Sequence, residues 1–264
     1  MSLEGRVALI TGASRGLGKA MALTFARAGA DIVVAARSET QPHPQLPGTI
    51  YETAEAVRAL GRRALPVRCD ITKPEDIDAA VAKALEEFGK IDILVHNAAV
   101  RVMGSLAEMP LRRWDLMLNG NFRAAVGLVK GVLPSMQQQG WGHILVVAPK
   151  PDPEAARGEG LAYGLSKAAA SLFVLGAAQE LAGYGIAINC LWPEGARDSE
   201  GTRMFRPLDP KNTTTADLFA DAALVIVSKD PSVRTGQALD DETVLRAEGM
   251  TDFSRYALEL STSS

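Results

Sequence analysis

Residues 6–28 read RVALITGASRGLGKAMALTFARA, an apolar β-branched stretch that runs into a glycine-rich turn and then an alanine-rich helical pattern. Few chain paths satisfy that order. Gly12, Gly16 and Gly18 permit a tight turn and a close approach of backbone to a bound group. The helix that follows starts with free N–H groups and the positive end of its dipole, which together suit a phosphate. Gly12, Ser14, Arg15, Gly16, Leu17 and Gly18 are therefore the first candidate binding residues.

The rest of the chain repeats the rhythm. Strands are expected at 6–11, 31–36, 63–70, 91–97, 143–148, 186–192 and 236–241, and helices near 16–28, 49–60, 74–88, 110–138, 161–182 and 215–229. Several strands are apolar on both faces, as in a sheet covered on both sides. Such alternation predicts an α/β fold with right-handed crossovers. The expected form is a Rossmann-type doubly wound sheet of about seven mostly parallel strands, with helices on both faces. Two segments break the pattern, the Pro-rich 37–48 and the long 193–215. Neither holds a domain-sized unit, so residues 1–264 are expected to form one domain, with 194–215 as a substrate loop carrying Met204 and Phe205 as apolar contacts.

Composition removes several function classes. The net charge of −3 gives no basic excess for nucleic acid. Cys69 and Cys190 lie far apart in apolar segments, which suits reduced core thiols. His43, His96 and His143 lack metal-ligand spacing, so structural roles and no metal site are expected. No apolar run is read as a membrane span, and MSLEGRVALITG leads directly into a strand without a signal peptide. A cytoplasmic protein with no membrane partner is the expectation.

The end of the second strand bears on the bound nucleotide. Sites for NAD usually carry an acidic residue there for the ribose 2′-hydroxyl. This chain has VVAARSE, with Ala36 and then Arg37. An arginine pairs with a 2′-phosphate by charge-assisted bonds, and Arg15 adds a second cation. NADP(H) is therefore favoured over NAD(H).

Five motifs now stand in order: TGASRGLG, HNAA (96–99), NGNF (119–122), YGLSK (163–167) and INCLWP (188–193). In that order they resemble the short-chain dehydrogenase/reductase family across nearly the whole chain. Finer features resemble its hydroxysteroid dehydrogenase-like protein 2 group. These are the insert QPHPQLPGTIYETAEAV, the CLWP, and the tail TGQALDDETVLRAEGMTDFSRYAL. Larger members of that group carry a sterol-carrier domain beyond this point, and this sequence stops before one.

The resemblance implies an oxidoreductase that interconverts a carbonyl and a secondary alcohol. Tyr163 would be the acid/base, Lys167 its partner and ribose ligand, and Asn121 part of a proton relay. It also implies cofactor contacts at Asp70, Ile71, Asn97, Ala98 and Pro193. The residues agree in part, since Tyr163 and Lys167 stand four apart and share a helix face. A free tyrosine has a pKa near ~10, and a nearby ammonium lowers it. Bringing it near neutrality takes about 4 kcal/mol of differential interaction.

Three departures stand out. His96 replaces the family's first asparagine, and Glu194 replaces the glycine after Pro193. Ala148 and Pro149 occupy the end of the fifth strand, where the family has a serine that donates to the substrate oxygen. No Ser or Thr occurs from Met136 to Leu165. Removing one such donor typically costs ~10²–10³ in rate. Lys150 stands thirteen residues before Tyr163, the family's serine–tyrosine separation, and offers either a cationic donor or a solvent-facing side chain. Intact Tyr163, Lys167 and Asn121 support an enzyme on a small-molecule substrate. Ala148, Pro149 and Glu194 support a nucleotide-binding regulatory or scaffold protein with little catalysis. The helices at 110–138 and 161–182 are apolar over most of their circumference. By resemblance they pair subunits into a homodimer or homotetramer.

Overall fold

The computed structural model describes residues 1–40, 46–152, 160–205 and 207–258, with the side chains of Phe205 and Lys211 excepted. The expectations for His43 and for the Phe205 side chain fall outside this description. Six strands lie within the expected ranges or one residue outside them: β1 (Val7–Thr11), β2 (Asp31–Ala36), β3 (Ala64–Arg68), β4 (Ile93–His96), β5 (Gly142–Val147) and β6 (Ile186–Trp192). A short strand at Ala238–Asp240, β9 in chain order, completes a seven-stranded sheet of order β3-β2-β1-β4-β5-β6-β9. All six pairings are parallel.

Period-two alternation divides the strand side chains between two apolar layers. Ala8 and Ile10 of β1 join Met21 and Phe25 of α1 (Gly16–Arg27) and Phe219 of α8 (Ala216–Val227). Val7 and Leu9 face the other layer, with α3 (Pro74–Phe88), α5 (Ala124–Gln139) and α6 (Leu161–Ala182). The helix α2 (Ile50–Ala59) starts where the Thr49 side chain accepts from the Glu52 N–H at 3.0 Å. Pro74 opens α3 with Glu75 and Asp76 in its first turn, and left-handed Gly89 closes it.

The segment expected as one helix over 110–138 has three parts. The helix α4 (Leu111–Met117) passes into six residues of π-helix, Leu118–Arg123, and these into α5. Such π turns are inserted where a side chain or carbonyl must leave the α register, often at functional sites. The long loop expected at 194–215 is also structured. It holds strands β7 (Ala196–Asp198) and β8 (Thr213–Thr215), paired parallel, and helix α7 (Glu200–Phe205). A buried ion pair anchors it. Arg197 gives Nε and Nη2 to the two Asp241 oxygens at 2.8 and 2.7 Å, from the start of α9 (Asp241–Ala247).

By length and composition, α6 is long and apolar enough to cross a membrane, which corrects the expectation that no run reaches that length. In this fold it lies on the sheet and buries Ser166 and Lys167. Its outer side presents Leu165 and Leu172.

Strand order reverses between β1 and β4. The chain works outward from β1 to β3 on one side and from β4 to β9 on the other. At such a switch point the crossover helices diverge and leave a crevice beyond the strands' carboxyl ends.

Candidate active site

A cavity of about 770 Å³ fills that crevice. Its floor is the turn between β1 and α1. Gly12 and Gly16 take φ of +68° and +55°. A Cβ on Gly12 would stand 2.8 Å from Asn97 Nδ2, and one on Gly18 would stand 2.3 Å from the Gly12 carbonyl oxygen. The first glycine therefore makes the turn, and the third lets helix and strand touch. Ser14, Arg15, Gly16 and Leu17 line the cavity, whereas Gly18 sits behind it as packing.

Thr11 holds the two central strands together. Its Oγ1 accepts from the Asn97 and Ala98 N–H groups at 3.1 Å each, and Asn97 Nδ2 donates to the Thr11 carbonyl at 3.0 Å. The Thr11 hydroxyl also lies 3.2 Å from His96 Nδ1 and donates to the Val95 carbonyl at 3.5 Å. His96 is itself buried. Burial pushes its pKa down to about 3, Lys167 adds to this, and the Asn121 and Gly120 carbonyls oppose it. Its Nε2 is buried without a hydrogen bond of good geometry. His96 does not line the cavity.

One end of the cavity is cationic. Arg37 is exposed at the rim, and Arg15 donates to Ser38 Oγ at 2.7 Å and the Gly48 carbonyl at 2.8 Å. Burial lowers the Arg15 pKa, Glu200 opposes this, and the charge of Arg37 adds to it. Arg15 Nε is buried with no partner. Cys69 and Ile71 reach the cavity, but the Asp70 side chain does not line it. Asp70 Oδ1 instead accepts from the Thr72 N–H and hydroxyl at 3.0 and 2.8 Å. Burial works against that carboxylate, yet the Thr72 bonds and then Arg37 hold its pKa below the usual value.

Two glycines that tolerate no Cβ, an α1 N-terminus without a side-chain cap and a buried orphan Arg15 Nε fit a dinucleotide with its pyrophosphate over the turn. Arg15 and Arg37, close enough to repel, fit a further anion at the adenosine end.

The other end holds the predicted catalytic residues. Tyr163 and Lys167 both line the cavity from α6, with Pro193 and Trp192 opposite. Lys167 is buried and gives its Nζ to the Val147 carbonyl at 2.6 Å. Burial lowers its pKa to about 8. Tyr163 departs from expectation. Burial pushes its hydroxyl up to about 12, and the opposing cation is Arg101 rather than Lys167. The Arg101 guanidinium carbon lies 5.3 Å from the Tyr163 ring centre.

Asn121 does not line the cavity. From the π turn its Oδ1 accepts from the Val100 N–H at 2.7 Å, and its Nδ2 donates to the Val100 carbonyl and Ser166 Oγ, both at 2.8 Å. Ser166 Oγ in turn donates to the Tyr163 carbonyl at 2.7 Å. Ala148 is fully buried, and neither it, Pro149 nor exposed Lys150 lines the cavity. Sequence reasoning passed over Thr11, Arg101 and Arg197. Only the threonine carried a signal, as the last residue of a strand that opens a glycine turn.

The short chain dehydrogenase family matches residues 6–210. Hydroxysteroid dehydrogenase-like protein 2 of Homo sapiens is 40% identical over 260 residues, covering 97% of this chain and 61% of that protein. The chain thus spans less than two thirds of that relative's length. The solved short chain dehydrogenase of Mycobacterium thermoresistibile is 38% identical, with a TM-score of 0.88 over 97% of this chain and 91% of that one. A 7α-hydroxysteroid dehydrogenase, solved with NADH and 7-oxo glycochenodeoxycholic acid, is 28% identical, with a TM-score of 0.80 over 90% of this chain and 93% of that one.

Proposed function

The chain belongs to the short chain dehydrogenase family, and from that footing we propose an NADP(H)-dependent oxidoreductase that interconverts a carbonyl and a secondary alcohol, with Tyr163 as acid/base. The observation that carries this reading is that Tyr163 and Lys167 face the same cavity as the glycine turn of residues 12–18. When bound, the cofactor supplies or accepts the hydride.

The protein's own residues handle the oxygen. In the reducing direction the carbonyl π pair moves onto that oxygen as hydride reaches the carbon, and the Tyr163 hydroxyl delivers the proton. In the oxidising direction Tyr163 takes it back. Lys167, beside the Val147 carbonyl, would bind the nicotinamide ribose and place a positive charge near the phenol when protonated. A pKa of about 8 leaves it mostly cationic at neutral pH. Trp192 and Val147 supply apolar wall that keeps water from the reacting oxygen.

Preference for NADP(H) is supported by Arg37 at the strand end, the mutual repulsion of Arg15 and Arg37, and the lack of an acidic residue before them. A homodimer or homotetramer is supported by Leu165 and Leu172 on the outer side of α6, and sedimentation at micromolar concentration tests it. A cytoplasmic setting is supported by two buried free cysteines. The test of the whole reading is cofactor consumption with a panel of cyclic ketones, vicinal diketones, steroid ketones and medium-chain aldehydes. NADPH-dependent turnover of at least one member is expected. Tight NADPH binding with no turnover across the panel would instead favour a nucleotide-binding regulatory protein.

A further inference from the structure

Residues 192–202 cross the cavity from one end to the other. Trp192 stands at the Tyr163 end, with its ring 6.0 Å from Lys167 Nζ. Ser199 stands at the glycine turn, where a Cβ on Gly16 would lie 3.2 Å from the Ser199 Cβ. Pro193, Ala196 and Thr202 also line the cavity. A dinucleotide that fills the cavity would be covered by this segment.

The segment has little hold of its own. Its strand β7 has three residues and forms a two-stranded sheet with β8, which also has three. Two strands alone are marginal in water. What fixes them comes from the C-terminal part of the chain. Ala257 makes an antiparallel bridge to Thr214 of β8. Behind β7 lies the ion pair of Arg197 and Asp241, whose side chains are 2% and 0% exposed. Asp241 Oδ2 accepts from Arg197 Nε. Asp241 Oδ1 accepts from Arg197 Nη2 and from the N–H groups of Glu194 and Glu242, the last two at 3.0 Å each. One carboxylate thus ties the segment at Glu194 and at Arg197 to the start of α9.

A buried ion pair is a poor means of gaining stability, because desolvating both charges offsets most of their attraction. Apolar side chains of similar volume would hold the fold as well. What the pair adds is direction. A planar guanidinium that meets a carboxylate at two points accepts one register, whereas apolar side chains repack.

We propose that Arg197 and Asp241 are positioning residues: their ion pair latches residues 192–202 across the cavity and sets how slowly a bound nicotinamide dinucleotide leaves. Arg197 commits Nε and Nη2 to Asp241 and acts through the backbone that it holds. The latch restricts local opening of a short segment, and such opening gates release from covered sites.

The latch rests on the reading of the cavity as a nicotinamide dinucleotide site, and the two can fail separately. The unchanged full chain is compared with Arg197→Lys, with Asp241→Asn, and with a double variant, Arg197→Met with Asp241→Leu, that removes both charges together. The control is Arg203→Met, which breaks the exposed pair with Asp198 in the same loop. The readings are Tm, the rate at which bound NADPH leaves after a chase with excess NADP+, and amide hydrogen exchange over residues 192–202. The double variant is expected to keep its Tm within about 4 °C. Its NADPH should leave at least about tenfold faster, and exchange over 192–202 should rise at least about tenfold while exchange in β1 to β6 stays unchanged. Arg197→Lys and Asp241→Asn should fall between, and Arg203→Met should stay within about twofold of the unchanged chain. A folded double variant with NADPH release and local exchange within about twofold of the unchanged chain overturns the latch. An equal rise of exchange throughout the sheet also overturns it. If the double variant does not fold, Arg197→Lys decides by the same readings, and unaltered release and local exchange overturn the latch. An unchanged chain that binds neither NADPH nor NADH overturns the dinucleotide reading and this inference with it.

Discussion

Asn121 donates to Ser166 at 2.8 Å, and Ser166 passes the connection to the Tyr163 carbonyl at 2.7 Å. The asparagine that family resemblance assigns to a proton relay is thus, in this fold, a brace between the π turn, the segment after β4 and the turn of α6 that carries Tyr163. Its three side-chain hydrogen bonds are buried or nearly so, and each group left unsatisfied costs about 1–3 kcal/mol. Asn121→Ala is expected to lower stability by about 3 kcal/mol and kcat at least tenfold, with NADPH affinity little changed. Asn121→Asp keeps the acceptor for the Val100 N–H and should fall between. Thermal unfolding and steady-state kinetics of the three proteins check this, and an Asn121→Ala protein with unaltered Tm and kcat would remove the brace.

Arg37 is exposed at the cavity rim, directly after β2, which ends in Ala36 rather than in an acidic residue. A charge-assisted bond to phosphate is worth about 1.5–3 kcal/mol. Arg37→Ala should therefore weaken NADPH binding roughly 10–100-fold and NADH binding less than threefold, as read by fluorescence titration. Equal losses for both cofactors would show that Arg37 does not read the 2′-phosphate.

His96 and His143 are held neutral by burial, with pKa values pushed down to about 3 and about 4. The unfolded chain takes up these two protons near pH ~6.5, before the folded chain does. Their effect on stability is therefore absent above that pH. Stability is lost as pH falls from about 6.5 toward 4, by up to about 1.4 kcal/mol per pH unit for each histidine. The urea midpoint should fall steadily between pH 7 and 5, and His143→Gln should reduce that slope. A midpoint flat over this range would contradict it.

Lys167 carries a comparable cost for a different purpose. Its pKa is lowered to about 8 by burial. The folded chain thus holds this proton less tightly than the unfolded one, and the cost is present below about pH 8 and fades as pH rises toward ~10.5. Lys167→Met should abolish turnover while leaving Tm at pH 7 unchanged or a few degrees higher. A lower Tm would mean that the bond to the Val147 carbonyl outweighs the buried charge.

Much of this architecture is legible in the sequence because local pattern and tertiary need coincide. The runs at 7–11, 31–36 and 186–192 are apolar at their buried positions save Thr11 and Asn189, and Gly12 and Gly18 sit where a Cβ would collide. What escaped depends on residues distant in sequence. Strands β7 and β8 hold only three residues each and depend on Arg197 meeting Asp241, 44 positions away. The brace through Asn121 spans 45 positions to Ser166 and needs a π turn that no periodicity announces. The raised pKa of Tyr163 comes from burial, and Lys167 turns instead to the Val147 carbonyl, neither of which four-residue spacing on a helix reveals. Local spacing places side chains on a common face, whereas burial and competing acceptors decide which of them interact.

The claim that Tyr163 moves the proton is tested most directly by comparing Tyr163→Phe with the unchanged chain on one reduced carbonyl substrate, alongside NADPH affinity for both. The expected result is a loss of at least about 10²-fold in kcat with NADPH affinity changed by less than about threefold, since the ring that packs in the cavity remains and only the hydroxyl is gone. Equal turnover by the two proteins would contradict the account.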